Sequence, residues 1–178
     1  MRGYVFALLA LVACGGGGDD DVDPPGEPGH FAITGTVRYE DRAQTGTGPL
    51  ENITKKPSRG VAVSLILDSS KVVLAETITD DDGMYSLELD ALTGAKVHVL
   101  VATTSVEPAR PLSVRHALDE IIHGFGAPTF GLASGTQDVL VTEESGVAEA
   151  FNIFDVLVDV MDAIPVVFPG RTASQLDA

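Results

Sequence analysis

Apolar and polar residues alternate along much of this chain, and clusters of glycine, proline and small polar residues interrupt the alternation. Phe31, Ile33, Val37 and Tyr39 fall on one face of an extended segment, and Ala32, Thr34, Thr36, Arg38 and Glu40 on the other. Successive strand side chains point to opposite faces, so this period of two predicts a half-buried strand. Residues 41–59 are polar and carry Gly46, Gly48, Pro49 and Pro57, which reads as a long surface loop. Alternation returns at Val61, Val63 and Leu65, and further extended segments are predicted over 71–79, 84–89 and 96–103. Short strands separated by turn residues favour an antiparallel β-sandwich.

The segment 108–144 satisfies two periods. Leu112, Val114, His116 and Leu118 alternate as in a strand, whereas Val114, Ala117, Leu118, Ile121 and Ile122 also fit a helix. The extended reading is preferred, continued by Phe130, Leu132, Val139 and Val141. From Val147 to Ile164 the polar positions are Glu149, Asn152, Asp155, Asp159 and Asp162, one stripe at helical spacing, and the remaining positions are apolar. A helix with so wide an apolar surface must pack on a sheet or on a protein partner, with the stripe as its solvent side. Pro165 is expected to end it.

Composition narrows the partners. Eleven basic and 26 acidic residues in 178 give a formal charge of -15, which argues against nucleic acid. Only 6% of residues are aromatic and there is no Trp, so a carbohydrate ligand would have little to stack on beyond Tyr39 and Tyr85. The length suits one ordinary domain with extensions.

The first residues change the picture of location. Arg2, the apolar run 4–12 and Ala13 before Cys14 form an export signal, too short to span a bilayer at about 20 residues. The quartet Leu11, Val12, Ala13, Cys14 resembles the lipobox of bacterial lipoproteins, and Cys14 is the single cysteine of the chain. That resemblance implies a mature protein beginning at an acylated Cys14, exported and held by diacylglyceryl and palmitate-type chains in the envelope membrane. Gly15, where an Asp would signal inner-membrane retention, implies the outer membrane in a source that has one. The expected organisation is a signal peptide at 1–13, a Gly/Asp/Pro tether at 14–29, a sandwich at 30–105, and a β extension plus helix at 106–178.

Three motifs add a second resemblance. Ile33-Thr34-Gly35-Thr36-Val37, Gly60-Val61-Ala62-Val63 and Thr79-Asp80-x-x-Gly83-x-Tyr85 resemble the carboxypeptidase regulatory-like module. The resemblance covers about residues 31–104 and implies a transthyretin-like β-sandwich, with additional strands and one C-terminal amphipathic helix beyond it. In the last motif Asp80 can accept local N–H groups, Gly83 supplies a positive-φ position and Tyr85 returns to the core, which is scaffold chemistry. The helical stretch 150–161, Ala150-Phe151-Asn152-Ile153-Phe154-Asp155 onward, resembles a helix that precedes a zinc-metallopeptidase-like domain in longer secreted bacterial proteins.

Candidate chemistry is sparse. Were residues 116–123 helical, His116, Glu120 and His123 would share one face beside Asp119, a spacing able to hold a metal ion; otherwise they are a solvated face or strand histidines. Asp80-Asp81-Asp82-Gly83 fails as a calcium loop, because Ile78 and Leu89 occupy its first and last ligand positions. The chain lacks Gly-x-Ser-x-Gly, a phosphate-cradling glycine loop and His-Glu-x-x-His. The expectation is a noncatalytic, cofactor-free binding or structural module anchored in the membrane by its lipid. The alternative is the accessory N-terminal region, or a truncated relative, of a secreted zinc-metallopeptidase-like protein.

Overall fold

The computed structural model describes residues 26–45, 48–105 and 111–169. Cys14, the export signal and most of the tether lie outside them. The described chain is mainly β, with two sheets and one C-terminal helix.

Strand β1 (Pro28–Thr45) is the spine of the first sheet. Residues 48–57 form β2 (Gly48–Pro57), antiparallel to the second half of β1 with Asp41 opposite Thr54. The first half of β1 pairs antiparallel with a later strand, Met84–Leu92, placing Phe31 opposite Leu89 and Ile33 opposite Leu87. These two partners share one edge of β1. At the handover Val37 N–H donates to the Gly83 carbonyl at 2.8 Å, and Ser58 N–H donates to the Val37 carbonyl at 2.9 Å.

The second sheet is built on β3 (Ala62–Leu67), flanked by β4 (Val73–Ile78) on one side. Met84–Leu92 is β5, and β6 (Lys96–Ala102) pairs antiparallel with the other side of β3. The outer edge of β6 takes β7 (Gly124–Gly126) and β8 (Phe130–Gly131). The chain then returns to the first sheet, where β9 (Gly135–Thr136) and β10 (Val139–Val141) run parallel to β1 along its second edge. That sheet is therefore mixed, not wholly antiparallel.

Burial follows the alternation. Ile33, Val37 and Tyr39 of β1 meet Val63 and Leu65 of β3 and Val97, Val99 and Val101 of β6, all fully buried. Removing this apolar surface from water is the main favourable term of the fold. Gly35 sits where β1 passes closest to its neighbours: a β-carbon there would strike the Gln137 carbonyl and the Tyr85 ring.

Two expectations are corrected. A loop is expected over 41–59, but 41–45 complete β1 and 48–57 form β2. No apolar alternation marks this ribbon because its backbone ladder extends beyond the core, so charged side chains such as Lys55 and Lys56 can stand in water. The helix α1 (Ala148–Val167) runs past Pro165. A proline in a last turn removes one hydrogen bond, and Phe168 N–H still closes the turn on the Ile164 carbonyl at 2.8 Å.

Candidate docking face on the C-terminal helix

A 3-10 turn at Glu143–Ser145 and a left-handed Gly146, φ 73°, carry the chain from β10 into α1. Phe151, Phe154 and Val158 recur at helical spacing and are fully buried, with α1 lying on β1. Phe154 and Val158 pass beside Gly60, in the loop that enters β3.

The acidic stripe was expected to face solvent, and Glu149, Asp159 and Asp162 are exposed, but Asn152 and Asp155 are half-buried against the body. Asp155 is 14% exposed, and its Oδ1 lies 2.6 Å from Arg59 Nε. The Tyr39 hydroxyl donates to Asp155 Oδ2 at 3.0 Å, with Asn152 Oδ1 at 3.4 Å. Arg59, 20% exposed, also reaches Asp159 Oδ1 from Nη2 at 2.8 Å. Asn152, Asp155 and Asp159 thus form the seam that joins the helix to β1 and to the loop before β3. Burial, and then the adjoining Asp155 carboxylate, pushes the Tyr39 phenol well above its ordinary value. The hydrogen bond that Arg59 donates to Asp155 likewise holds the guanidinium more firmly protonated.

With Asn152 and Asp155 turned towards the body, an apolar ridge is left outside. Ile153, Val156 and Val160 are 52%, 53% and 52% exposed. Ala163 and Val167 continue the ridge, and all five are spaced alternately three and four apart. At 3.6 residues per turn the ridge lies about 180° around the helix from Phe151, Phe154 and Val158. Its spacing is that of the contact positions of a two-helix seam. No helix among the described residues is long and apolar enough to cross a membrane.

The ridge begins at a cleft of about 700 Å³ between the end of β1 and the start of α1, whose wall includes Ile153. Glu40, Asp41, Glu143 and Glu149 line it together with Arg42. Arg42 Nε lies 2.7 Å from both carboxylate oxygens of Glu143, and Lys56 Nζ lies 2.7 Å from Asp41 Oδ2. Glu40 accepts the Glu143 backbone N–H at 3.0 Å. Among the described residues neither Glu40 nor Glu149 is in an ion pair.

The residues singled out by sequence fall elsewhere. Thr79 is buried; its hydroxyl donates to the Ser58 carbonyl at 2.7 Å and accepts Val61 N–H at 3.1 Å. Asp80 Oδ1 accepts the N–H groups of Asp82 and Met84, Gly83 has φ 74°, and Tyr85 is buried with its hydroxyl on the Gln137 carbonyl. Burial and the nearby Asp138 push the Tyr85 phenol up to about 12.

His116, Glu120 and His123 are not on a helix. Arg115 bridges Ile122, and His116 N–H donates to the Ile121 carbonyl at 2.9 Å, making a small hairpin. It brings the two imidazoles edge to face with centroids 6.1 Å apart. Asp119 bonds His116 Nδ1 at 2.9 Å, and Glu120 sits at φ 58°. Among the described residues no three His, Cys, Asp or Glu side chains are placed to hold a metal ion.

Sequence reasoning missed the role of Arg59 and the outward ridge. The three-four spacing was present in the sequence, hidden because nearly every position outside the stripe is apolar.

No protein-family model and no curated protein match the chain. Solved structures similar over 64% of it, each with TM-score 0.30, include a 9R-lipoxygenase from Cyanothece PCC8801 at 12% identity. This chain spans 16% of that lipoxygenase. Others are a candidate carbohydrate-binding protein from Pseudomonas aeruginosa, 14% identical and 88% spanned, and the major plantain pollen allergen Pla l 1, 18% identical and 92% spanned. Likenesses at this TM-score carry no argument about function.

Proposed function

We propose that this protein is a noncatalytic binding module, held in a bacterial envelope by a lipid on Cys14, that presents the outer ridge of α1 to a protein partner. One observation carries the reading: Ile153, Val156 and Val160 stand in water on the side of the helix away from the core. Contiguous apolar surface on a soluble body is the usual mark of an interaction site. The lipobox-like quartet ending at Cys14 supports the anchor, and the following Gly/Asp/Pro run supports a tether that sets the body off from the membrane. The Thr79 to Tyr85 turn, with Asp80 gathering two backbone N–H groups, supports assignment of the body to the transthyretin-like sandwiches.

The uncovered ridge also favours the second reading, an accessory region working beside a zinc-metallopeptidase-like catalytic domain. A self-sufficient scaffold would keep so apolar a helix closed. The experiment has two arms. Cys14→Ser should abolish labelled-palmitate incorporation and release the protein from the membrane fraction; identical fractionation and labelling of parent and variant would refute the anchor. Val156→Asp combined with Val160→Asp should leave circular dichroism unchanged and abolish binding of any partner co-purified with the parent. Retention of that partner would refute the ridge as the interface.

A further inference from the structure

The ridge and the cleft form one continuous surface. Ile153 belongs to both, and Glu149 lies one turn before it on the same side of α1. We propose that the occupant is an amphipathic helix of a partner protein, with its apolar stripe along the ridge and a Lys or Arg over the carboxylates of the cleft. This deepens the binding-module reading and rests on it.

Charge complementarity chooses this occupant. Four carboxylates and one guanidinium line the cleft. Arg42 and Lys56 are already engaged by Glu143 and Asp41, which leaves Glu40 and Glu149 to face an incoming cation. The adjacent helix N-terminus offsets only about half a charge. A Lys or Arg at the end of a docked helix can lay its methylenes on Ile153 and place its charged head among the carboxylates. The ridge is about 20 Å long at 1.5 Å per residue, which suits a partner helix of four turns or so.

The same charges disfavour the other occupants. Helices that lie in a membrane interface carry Lys and Arg on their polar face, whereas the polar residues of α1 are Glu149, Asn152, Asp155, Asp159 and Asp162. A second copy packed parallel along the ridge would bring its own acidic cleft towards this one. Five small ridge side chains are also well short of the about 800 Å² that each partner contributes to a stable dimer.

The test uses two synthetic 21-residue helices with identical Leu/Ile heptad positions, one with Lys and one with Glu at the flanking positions. Binding to the full chain is followed by fluorescence anisotropy at 0.15 M salt. The Lys peptide is expected to bind at least tenfold more tightly than the Glu peptide. Val160→Asp, with its fold checked by circular dichroism, should weaken Lys-peptide binding tenfold or more. Glu149→Lys should remove most of the Lys-over-Glu preference, while Glu88→Lys, the same change of net charge on the exposed face of β5, should leave most of it. Equal loss of preference in both variants overturns the cleft, since net charge alone would then explain it. Equal binding of the two peptides, abolished by Val160→Asp, overturns the basic partner and keeps the ridge as a binding face. Binding indifferent to Val160→Asp, or absent, overturns both readings. Sedimentation that finds a dimer dissolved by Val160→Asp, or binding to phosphatidylglycerol vesicles lost in that variant, assigns the ridge to a second copy or to a membrane and overturns the proposal.

Discussion

Replacing Asp155 is the most direct way to test the orientation of α1. Its carboxylate takes the Arg59 guanidinium at 2.6 Å and the Tyr39 hydroxyl at 3.0 Å while only 14% exposed. Removing one member of a buried ion pair costs about 3–5 kcal/mol, because the remaining charge is left uncompensated. Here Arg59 keeps Asp159, whose side chain is 66% exposed. The expected cost of Asp155→Ala is therefore lower, about 2–3 kcal/mol. Asp155→Asn retains an acceptor for Tyr39 and loses the charge, so about 1–2 kcal/mol is expected. In urea, at a slope of about 2 kcal/mol per molar, Asp155→Ala should lower the midpoint by about 1–1.5 M. Val160→Ala on the ridge should move stability by less than about 0.5 kcal/mol. A cycle combining Tyr39→Phe with Asp155→Asn should give a coupling of about 1 kcal/mol. If Asp155→Ala lies within 0.5 kcal/mol of the parent, the carboxylate is an ordinary solvated one and the inward seam is wrong.

Three further outcomes follow from the scaffold. Gly83→Ala forces an L-residue to φ 74° and sets a β-carbon 2.6 Å from the Val37 carbonyl, so a loss of about 2–3 kcal/mol is expected by urea denaturation; unchanged stability would refute the tight handover between β2 and β5. Thr79→Val removes the two hydrogen bonds that clamp residues 58–61 and should cost about 2 kcal/mol, whereas Ser58→Ala deletes a buried hydroxyl with no partner and should be neutral or stabilising; the reverse order would refute this assignment. The Thr129 hydroxyl, then Lys71 and His98, hold the Asp68 carboxyl down to about 2, so its contribution to stability is present above the ordinary carboxylate value near 4 and lost as pH falls from about 4 to about 2. Carboxyl-carbon NMR should show the Asp68 midpoint near 2 and an upward move in Thr129→Val; a midpoint near 4 in the parent would refute the contact.

Legibility in the sequence tracked how far each element depends on a local pattern. The inward halves of β1, β3, β5 and β6 could be read because each alternates with period two over a shared core. Strand β2 could not, because Asn52, Thr54, Lys55 and Lys56 present no apolar face; the hydrogen-bond ladder with Arg38 to Thr45 holds it. The pairing of β9 and β10 with β1 depends on register between Val37 and Val139, and no pattern within either segment announces it. His116 and His123 meet through a hairpin closed by Arg115 and Ile122, so the helical spacing that linked them in sequence was not the one that placed them.

The helix shows the same limit at the candidate site. Amphipathic patterning assigns a polar stripe to water when the opposite face is the single apolar one. On α1 apolar residues occupy nearly every other position, so burying either Phe151, Phe154 and Val158 or Ile153, Val156 and Val160 would remove apolar side chains from water. Size favours the phenylalanines, and Arg59 fixes the rotation. Its guanidinium, 96 residues before Asp155 in the chain, draws Asp155 and Asp159 to the loop before β3, and Tyr39 takes the other carboxylate oxygen. Turning α1 to bury the ridge would strip Asp155 of both partners and leave the Tyr39 hydroxyl without its acceptor inside the core. Buried ionic contacts are often weak contributors to net stability, yet they discriminate between alternative packings of comparable apolar content. On this argument the Arg59–Asp155 pair decides which apolar face of the helix the protein keeps and which it offers.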